Sequence, residues 1–339
     1  MSKKELAIGV LGAGGNIGHT HSQNIATYVD GARLAAVYDL NTERAEEVAK
    51  TYGAKVMASA EELIASPEID AVVIASWDGT HADLAVKCIQ AGKPVFCEKP
   101  LATTLEDAKK VVEAEKASGK RLLQIGFMRR FDPDYIKMKK ILDSGELGAP
   151  LMIHACHRNV SQPDGFQTEM GVSNVAIHEL DICRWLLGDE YKSGQVLKVR
   201  QSACSTKGYD NPQIVLLETQ SGARIDVEVQ VADAYGYDIQ CQVVCEKGTV
   251  NLPDPYAVVK RSNATRSFPI LTDWKDRFIE AYDIELTHWV KTLEEKGEPD
   301  GPSAWDGYAA CVAADTLNRS RGTNQFLPIE MMDKPALYK

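Results

Sequence analysis

Short apolar runs alternate with longer amphipathic segments through the first part of the chain. The runs predict buried strands at residues 6–11, 33–38, around 56, 71–75, 94–97 and 122–127. The segments between them predict helices that end near 29, begin at 41, begin at the capping box Ser59–Glu62, and cover 80–90 and 104–118. Because strand and helix alternate, the pattern predicts an α/β fold with a doubly wound parallel sheet.

The pattern changes after Phe127. Polar and apolar residues alternate with turn residues between the segments, which predicts an open, mostly antiparallel sheet with two unlike faces. These strands are expected at 213–219, 223–231 and 238–244, with a further strand at 151–157 and helices ending near 144 and at 174–187, 275–296 and 305–320. A chain of 339 residues exceeds one comfortable core. We therefore expect an N-terminal domain at 1–126 and an α+β domain at 127–339.

Composition and charge exclude several classes of partner. A net charge of −10 argues against nucleic acid and anionic membranes, since those surfaces require excess Lys and Arg. No apolar run approaches membrane length. The eight cysteines are scattered without a Cys-x-x-Cys pair, which is typical of a reducing compartment and favours a cytoplasmic protein. No His or Cys spacing resembles a zinc site, so no metal is expected.

A glycine-rich loop, Gly12–Gly18, follows the first strand. Its spacing is Gly-x-Gly-x-x-x-Gly, one residue longer than the usual dinucleotide fingerprint. The following helix N-terminus offers free N–H groups to a pyrophosphate, and glycine lets the backbone approach it. The predicted cofactor contacts in this loop are Gly12, Gly14, Asn16 and Ile17.

Asp39 ends the second predicted strand. A carboxylate there can accept hydrogen bonds from the adenosine ribose hydroxyls and would repel a 2′-phosphate. The nearest arginine, Arg44, is a helical turn away. NAD is therefore favoured over NADP. Asp39 can alternatively cap the next helix, and the two roles are compatible.

The apolar run Val95–Cys97 ends in Glu98–Lys99 followed by Pro100. A strand that ends in lysine places an ammonium at the carboxyl edge of the sheet, where open α/β sheets bind ligands. Proline fixes its own φ and tolerates a cis bond, so Lys99 can be held in one direction. The alternative is that Lys99 is a surface lysine before a turn. This alternative is less favoured because the glycine-rich loop is predicted in the same sheet.

The predicted helix at 174–187 carries the second candidate site. Asn174 and His178 are four residues apart and Asp181 follows three later, so a regular α-helix places them on one face. This arrangement offers a general base with neighbours to orient it. The alternative is a polar stripe on an amphipathic helix, with Asn174 as its N-cap.

Together these residues resemble the glucose-fructose oxidoreductase/inositol dehydrogenase/MocA (Gfo/Idh/MocA) family. The motif Glu98–Pro100 and the helix that carries His178 are similar to the two hallmarks of that family. The resemblance covers nearly the whole chain and is greatest to the inositol 2-dehydrogenase branch. Segments similar to that branch are Ser76–Trp77, Gly126–Arg130, His157–Asn159, Pro163–Phe166, Tyr235–Cys241, Ala281–Asp283 and Ala304–Tyr308.

The resemblance implies a Rossmann domain, an α+β domain whose open sheet builds a homotetramer, and a small cyclitol or sugar as substrate. It implies that Lys99 polarises the reacting hydroxyl and that the bond to Pro100 is cis. His178 would take the hydroxyl proton as hydride leaves the same carbon for the nicotinamide. Further implied cofactor contacts are Ser76, Trp77, His81, Glu98 and Lys99; implied substrate contacts are Arg129, His157, Asn159, Tyr237 and Tyr282.

Two of these residues have structural alternatives, and one residue departs from the family pattern. Arg129 can equally be an ion-pair partner, and Tyr282 can equally pack its helix. Inositol dehydrogenases usually have an aspartate four residues before the histidine, whereas this chain has Asn174. An amide can hold a hydrogen bond but carries neither charge nor proton. Asn174 is a catalytic candidate, and this departure bears on the identity of the substrate and on catalytic strength, but not on the reaction class.

The leading hypothesis is NAD-dependent oxidation of a ring hydroxyl of inositol, myo- or scyllo-, to a keto-inositol. A histidine is a suitable proton acceptor near neutral pH, and a fixed ammonium stabilises a developing alkoxide. The same chemistry on a pyranose or a related cyclitol is the alternative, motivated by Asn174. A non-catalytic dinucleotide-sensing regulator would be expected to lose Lys99 or His178, and both are present.

Overall fold

The computed structural model describes residues 5–162, 165–205, 208–255 and 258–339. Pro163 and Asp164, from one of the segments that carry the resemblance, lie outside these residues. The chain forms two compact units. The first comprises Met1–Phe127, Tyr282–Cys311 and Met331–Lys339, and the second comprises Met128–Ala281 and Val312–Glu330.

The helices and strands of the described residues follow the predicted order closely. The α-helices are α1 Asn16–Thr27, α2 Thr42–Tyr52, α3 Ala60–Ala65, α4 His81–Gln90, α5 Leu105–Ser118, α6 Pro133–Asp143, α7 Ile177–Leu187, α8 Trp274–Lys296 and α9 Ala304–Ser320. The strands are β1 Leu6–Leu11, β2 Ala32–Tyr38, β3 Lys55–Val56, β4 Ala71–Ile74, β5 Val95–Glu98, β6 Leu123–Gly126, β7 Pro150–Arg158, β8 Tyr191–Lys198, β9 Gln213–Thr219, β10 Arg224–Gln230, β11 Asp238–Cys245, β12 Gly248–Asn251, β13 Lys260–Ser262, β14 Thr265–Ser267 and β15 Leu327–Pro328. Of the described helices, none is long and apolar enough to cross a membrane.

Local sequence signals set several of these boundaries. The Ser59 side chain accepts from the Glu62 N–H at 3.0 Å and so begins α3 as the capping box predicts. Asp132 caps α6, with Pro133 in the first turn where its missing N–H costs nothing. Gly53 ends α2 in the left-handed conformation, at φ +72°.

The first unit contains the predicted doubly wound sheet. Its six strands are parallel and lie in the order β3-β2-β1-β4-β5-β6. The strand order reverses between β1 and β4, and ligands of such sheets bind beyond the carboxyl ends of the strands at that point. The glycine loop follows β1, Ser76 lies just beyond β4, and Lys99 follows β5, so the fold brings these three segments to one edge.

Part of the first unit's core comes from far along the chain. Leu286, Trp289, Val290 and Leu293 of α8 are buried in one cluster with residues of β1, β2, β4 and β5. The Trp289 ring packs edge-on against Phe96 with centroids 5.7 Å apart.

The second unit contains a seven-stranded sheet in the order β12-β11-β7-β10-β9-β8-β15. Every neighbouring pair is antiparallel except β7 and β10, which are parallel. The predicted mostly antiparallel sheet is therefore confirmed. The alternation of polar and apolar residues did not predict β8, because Ser193 and Gly194 interrupt its apolar positions. It also did not predict the short strands β12 to β15.

Candidate active site

Three glycines between the end of β1 and the first turn of α1 are required by close packing. Gly12 has φ +85°, and an added Cβ would lie 2.5 Å from the Ala75 carbonyl oxygen. A Cβ at Gly18 would overlap the Gly12 carbonyl, and one at Gly14 would lie 2.7 Å from the Arg44 Cβ. The loop backbone can therefore pack this tightly only with glycine at these positions.

Gly15 is different. Its φ of −76° and ψ of 162° suit any residue, and an added Cβ would meet nothing closer than the Gly12 carbonyl oxygen at 3.5 Å. The extra residue of the loop is accommodated without a steric requirement for glycine at this position.

The N-terminus of α1 fits a pyrophosphate. Gly15 is its N-cap and offers no side-chain hydrogen bond, and the first turn, which begins with Asn16 and Ile17, has no acidic residue. The N–H groups of this turn are therefore not satisfied by a capping side chain, and the helix dipole adds positive potential. A cavity of about 680 Å³ lies beside the loop, lined in part by Asn16, His19 and Arg44. These features suit an anionic dinucleotide.

The Asp39 carboxylate joins the end of β2 to the glycine loop. Oδ2 accepts from the Gly14 N–H at 2.8 Å, and Oδ1 accepts from the Asn41 N–H at 2.8 Å. The alternative role of Asp39 as a helix cap is wrong. Asn41 is the N-cap of α2, and its side chain accepts from the Arg44 N–H at 3.1 Å.

Lys99 leaves the carboxyl end of β5, and its bond to Pro100 is cis, as the resemblance implied. The preceding Glu98 is only 4% exposed, and its Oε2 accepts from the Lys99 N–H at 3.2 Å. Its Oε1 lies 2.7 Å from Nε2 of His21 on α1. Burial alone would raise the pKa of Glu98, but the hydrogen bond from His21 and the charge of Lys99 outweigh it and lower the pKa.

The segment after β4 brings three predicted cofactor residues to the same edge. Trp77 is 75% exposed, and the Ser76 Oγ lies 2.6 Å from Thr80 Oγ1. His81 is buried, with Nδ1 2.7 Å from the Pro100 carbonyl oxygen and Nε2 3.0 Å from the Ser76 carbonyl oxygen. The His81 ring thus bridges the backbones that follow β4 and β5.

In the second unit, His178 lies on α7 and is 8% exposed. Helical structure begins earlier than predicted, because a π-helical turn at Gly171–Ala176 runs directly into α7. Asn174 lies inside that turn, and its Oδ1 accepts from the Ser173 Oγ at 2.8 Å. The alternative that Asn174 is an N-cap is therefore wrong. π turns of this kind occur frequently at functional sites.

The residue after His178 anchors a buried charge network. Glu179 pairs with the Arg129 guanidinium, and its Oε2 lies 2.9 Å from His157 Nδ1. Arg129 is 1% exposed and its Nη2 lies 3.1 Å from the same His157 nitrogen. Burial alone would raise the pKa of Glu179, but the charges and hydrogen bonds of Arg129 and His157 lower it. Arg129 is thus an ion-pair partner, which was the structural alternative for it.

Asp181 is held by a neighbouring arginine. Its two oxygens pair with Arg130, including an Nε–Oδ2 distance of 2.9 Å, and the carboxylate is buried. Fork-like pairs of this kind fix both side chains. Asp181 therefore ties α7 to the segment that precedes α6.

The remaining predicted substrate residues are Tyr237 and Asn159 in the second unit and Tyr282 in the first unit. The Tyr237 ring packs edge-on against His157 with centroids 6.0 Å apart, and burial raises the pKa of Tyr237 to about 12. The buried Oδ1 of Asn159, just after β7, has no hydrogen-bond partner among the described residues. Tyr282 belongs to the first unit, where its buried ring packs edge-on against His21 at 5.9 Å.

Sequence reasoning missed Glu179, Arg130 and His21. The helix at 177–186 is buried on nearly every side. A charged residue in such a helix needs a partner, so Glu179 could have been paired with one of the two arginines after β6. His21 gave no signal of this kind, because its partner Glu98 is distant in sequence.

Comparison with known proteins adds independent information. A family model described as an oxidoreductase family with an NAD-binding Rossmann fold, GFO_IDH_MocA, matches residues 6–127, and the model of its C-terminal alpha/beta domain matches residues 139–331. A curated inositol 2-dehydrogenase of Ralstonia nicotianae is 48% identical over 336 residues, 98% of this chain and 99% of that protein. Its counterpart from Burkholderia cenocepacia is 46% identical with the same coverage.

A solved structure is similar over nearly the whole chain. The myo-inositol dehydrogenase of Lactobacillus casei, in complex with NAD(H) and myo-inositol, matches with a TM-score of 0.95 and 38% sequence identity. The match covers 99% of this chain and 100% of that chain.

Proposed function

Since the chain belongs to the Gfo/Idh/MocA oxidoreductase family, we propose that it is an NAD-dependent dehydrogenase that oxidises a ring hydroxyl of inositol to a keto-inositol. The similarity to the Lactobacillus casei enzyme with NAD(H) and myo-inositol carries this proposal, because it extends over nearly all of both chains. Residues 1–126 bind the cofactor and 127–339 the polyol in this proposal, in line with the family matches at 6–127 and 139–331.

Each end of the dinucleotide has a proposed set of residues. The Gly12–Gly18 loop with the N-terminus of α1 binds the pyrophosphate, and Asp39 binds the adenosine ribose and disfavours NADP. Ser76, Trp77, His81, Glu98 and Lys99 are proposed at the nicotinamide half. Because the His81 ring and the Glu98 carboxylate are buried among protein groups, their contribution is to hold the adjacent backbone.

The proposed reaction needs one proton acceptor and one positive charge. His178 takes the proton of the reacting hydroxyl, and the Lys99 ammonium stabilises the negative charge that develops on its oxygen. Bound NAD supplies the hydride acceptor. Asn174, in the π turn that leads into α7, contributes a neutral amide four residues before His178.

Substrate recognition is proposed to use the second unit's polar groups. The buried Asn159 oxygen, without a partner among the described residues, suits a hydroxyl donor. Arg129, His157 and Tyr237 form the buried layer around Glu179 and orient the side chains that contact the polyol. Tyr282 is a weaker candidate because its ring packs against His21.

Asn174 favours one alternative substrate class. An amide offers two donor hydrogens where a carboxylate only accepts, so it can select a different pattern of hydroxyls. The same oxidation of a pyranose or another cyclitol is therefore the second candidate function. A homotetramer built on the open sheet is also proposed, as the family resemblance implies. A cytoplasmic location is proposed because the cysteines are scattered and form no disulfide among the described residues.

NADH formation measured with myo-, scyllo- and chiro-inositol, beside glucose and xylose and repeated with NADP, tests the proposal. Inositol turnover with NAD is expected. Turnover of hexoses alone would favour the second candidate, and NAD binding without any turnover would favour a regulator. Lys99→Ala and His178→Ala should each lower kcat at least about 100-fold while NAD still binds.

A further inference from the structure

A buried histidine–carboxylate pair supports Lys99 from inside the first unit. His21 on α1 is 0% exposed, and its Nε2 lies 2.7 Å from Glu98 Oε1. The other Glu98 oxygen accepts from the Lys99 N–H. One carboxylate therefore joins the helix that follows the glycine loop to the residue that leaves β5.

The surroundings allow this carboxylate little freedom. A Cβ added at Gly126 on β6 would lie 3.2 Å from the Glu98 carboxyl carbon and both its oxygens, so the strand approaches the group closely. The His21 ring is held by edge-on contacts with Phe96 at 5.4 Å and Tyr282 at 5.9 Å. Both members of the pair are thus fixed by packing as well as by their hydrogen bond.

The hydrogen-bond partners of the His21 ring identify which of its two nitrogens carries the hydrogen. The charged carboxylate only accepts, so the hydrogen lies on Nε2. His21 Nδ1 is buried and has no hydrogen-bond partner among the described residues. A hydrogen there would lack an acceptor, so the geometry fits the Nε2–H tautomer.

We propose that His21 is a positioning residue for Lys99: its Nε2–H holds the Glu98 carboxylate, and that carboxylate holds the backbone from which the Lys99 side chain departs. The proposal rests on the catalytic role of Lys99 proposed above. Without the His21 donor, Glu98 is held by packing alone, and its carboxylate can shift by a small rotation away from the Lys99 N–H or toward the Lys99 ammonium. Either movement displaces a charge whose effect depends on its placement relative to the reacting oxygen.

Two substitutions separate the hydrogen bond from the packing. His21→Phe keeps the ring but removes the donor, whereas His21→Gln keeps an N–H donor on a side chain of similar reach. In His21→Phe we expect kcat per NAD-binding site to fall about 10- to 100-fold, with the KM for NAD within about twofold of wild type. The primary deuterium isotope effect with the carbon-deuterated polyol should rise, because hydride transfer becomes more rate-limiting. His21→Gln should recover most of the lost rate.

A matched control comes from another histidine–carboxylate pair of the same unit. His288 Nε2 lies 2.6 Å from Asp300 Oδ1, but the His288 side chain is 40% exposed. His288→Phe should leave kcat and the isotope effect unchanged. If His21 only stabilises the fold, His21→Phe will lower Tm and the yield of NAD-binding sites, yet leave the turnover per site and the isotope effect at wild-type values. That result overturns the proposal.

A second measurement needs neither activity nor a folded His21→Phe variant. In the wild-type protein with histidine labelled by ¹⁵N, His21 should show a downfield Nε2–H signal and an unprotonated Nδ1. The signal should move upfield in Glu98→Gln, because a neutral amide oxygen is a weaker acceptor than a carboxylate, and it should stay unchanged in His288→Phe. Its absence from the wild-type spectrum overturns the proposed hydrogen bond. A wild-type protein with the signal but no turnover of any polyol would instead refute the proposed function.

Discussion

Glu179 and His157 share a buried hydrogen bond of 2.9 Å, and Glu179 directly follows His178 on α7. The same carboxylate pairs with Arg129 through its other oxygen. A buried arginine and a histidine from β7 thus converge on the residue next to the proposed base. This relationship makes Glu179 a determinant of how α7 is held.

Glu179→Gln should destabilise the protein by about 3–5 kcal/mol, because it leaves the buried Arg129 charge without its anion. The free energy of unfolding in urea measures the change. Glu113→Gln, which removes an exposed carboxylate paired with Lys116 at 3.2 Å, is the matched control and should have little effect. Equal effects of the two substitutions would contradict the importance of the buried pair.

Stability should also fall in acid through Glu98 and Glu179. Folding lowers the pKa of each below the usual value of 4.5, so the unfolded chain binds more protons than the folded protein in that range. Their contribution is complete above pH 4.5 and is lost as the pH falls through the folded pKa values. Urea unfolding at a series of pH values should show a shallower acid loss in Glu179→Gln than in wild type.

Asn174→Asp should raise the apparent pKa on the acid limb of kcat/KM. A carboxylate at residue 174, four residues before His178, would favour the imidazolium, whereas the amide exerts no such Coulomb effect. The substitution can also change the ranking of inositol isomers, which the same assays record. An unchanged profile and ranking would show that residue 174 does not act on the base, and capping can no longer explain such a result because Asn174 is not a cap.

Gly14→Ala and Gly15→Ala form a direct test of the loop geometry. At Gly14 the new methyl would lie 2.7 Å from the Arg44 Cβ and 3.0 Å from the Asp39 Cγ, so the loop must shift. We expect the Kd for NAD to rise at least about tenfold. Gly15→Ala meets only ordinary contacts and should change the Kd far less. Titration of both variants with NAD, followed by fluorescence, would contradict this account if their affinities fell equally.

Asp39→Ala should weaken NAD use and relax discrimination against NADP. The substitution removes the ribose acceptor and the charge that repels a 2′-phosphate. It also removes the acceptor of the Gly14 N–H, so affinity for both cofactors should suffer from a looser loop. The ratio of kcat/KM for NAD to that for NADP is the decisive measurement, and a constant ratio would exclude a role in discrimination.

The sequence predicted the first sheet well because strands such as β1, β4 and β5 are short apolar runs and caps such as Ser59 are local. β1 was predicted at its observed bounds, and Ser59 begins α3 as expected. The parallel pairing of β7 with β10 was not predictable in the same way. Alternation reveals which face of a strand is buried, but it does not reveal the strand's neighbour or direction.

The candidate site was predictable in its outline but not in its supporting contacts. Lys99 and the glycine loop were placed correctly at one sheet edge because the carboxyl ends of parallel strands all lie at the same edge. The helix of His178 begins with a π turn, which a 3.6-residue period cannot represent. Asp181 was expected beside His178 on one face, yet its partner Arg130 lies far back in sequence and holds it in a separate ion pair.

The burial of α8 residues in the first unit has a consequence for synthesis on the ribosome. Phe96 is covered by Trp289, so nearly two hundred further residues must be translated before the strand that contains Phe96 receives this cover. Until α8 emerges, the nascent N-terminal sheet exposes part of its apolar core. A fragment that stops at Phe127 should therefore aggregate or recruit chaperones, and late emergence of the C-terminal helices sets the earliest moment at which this unit can become native.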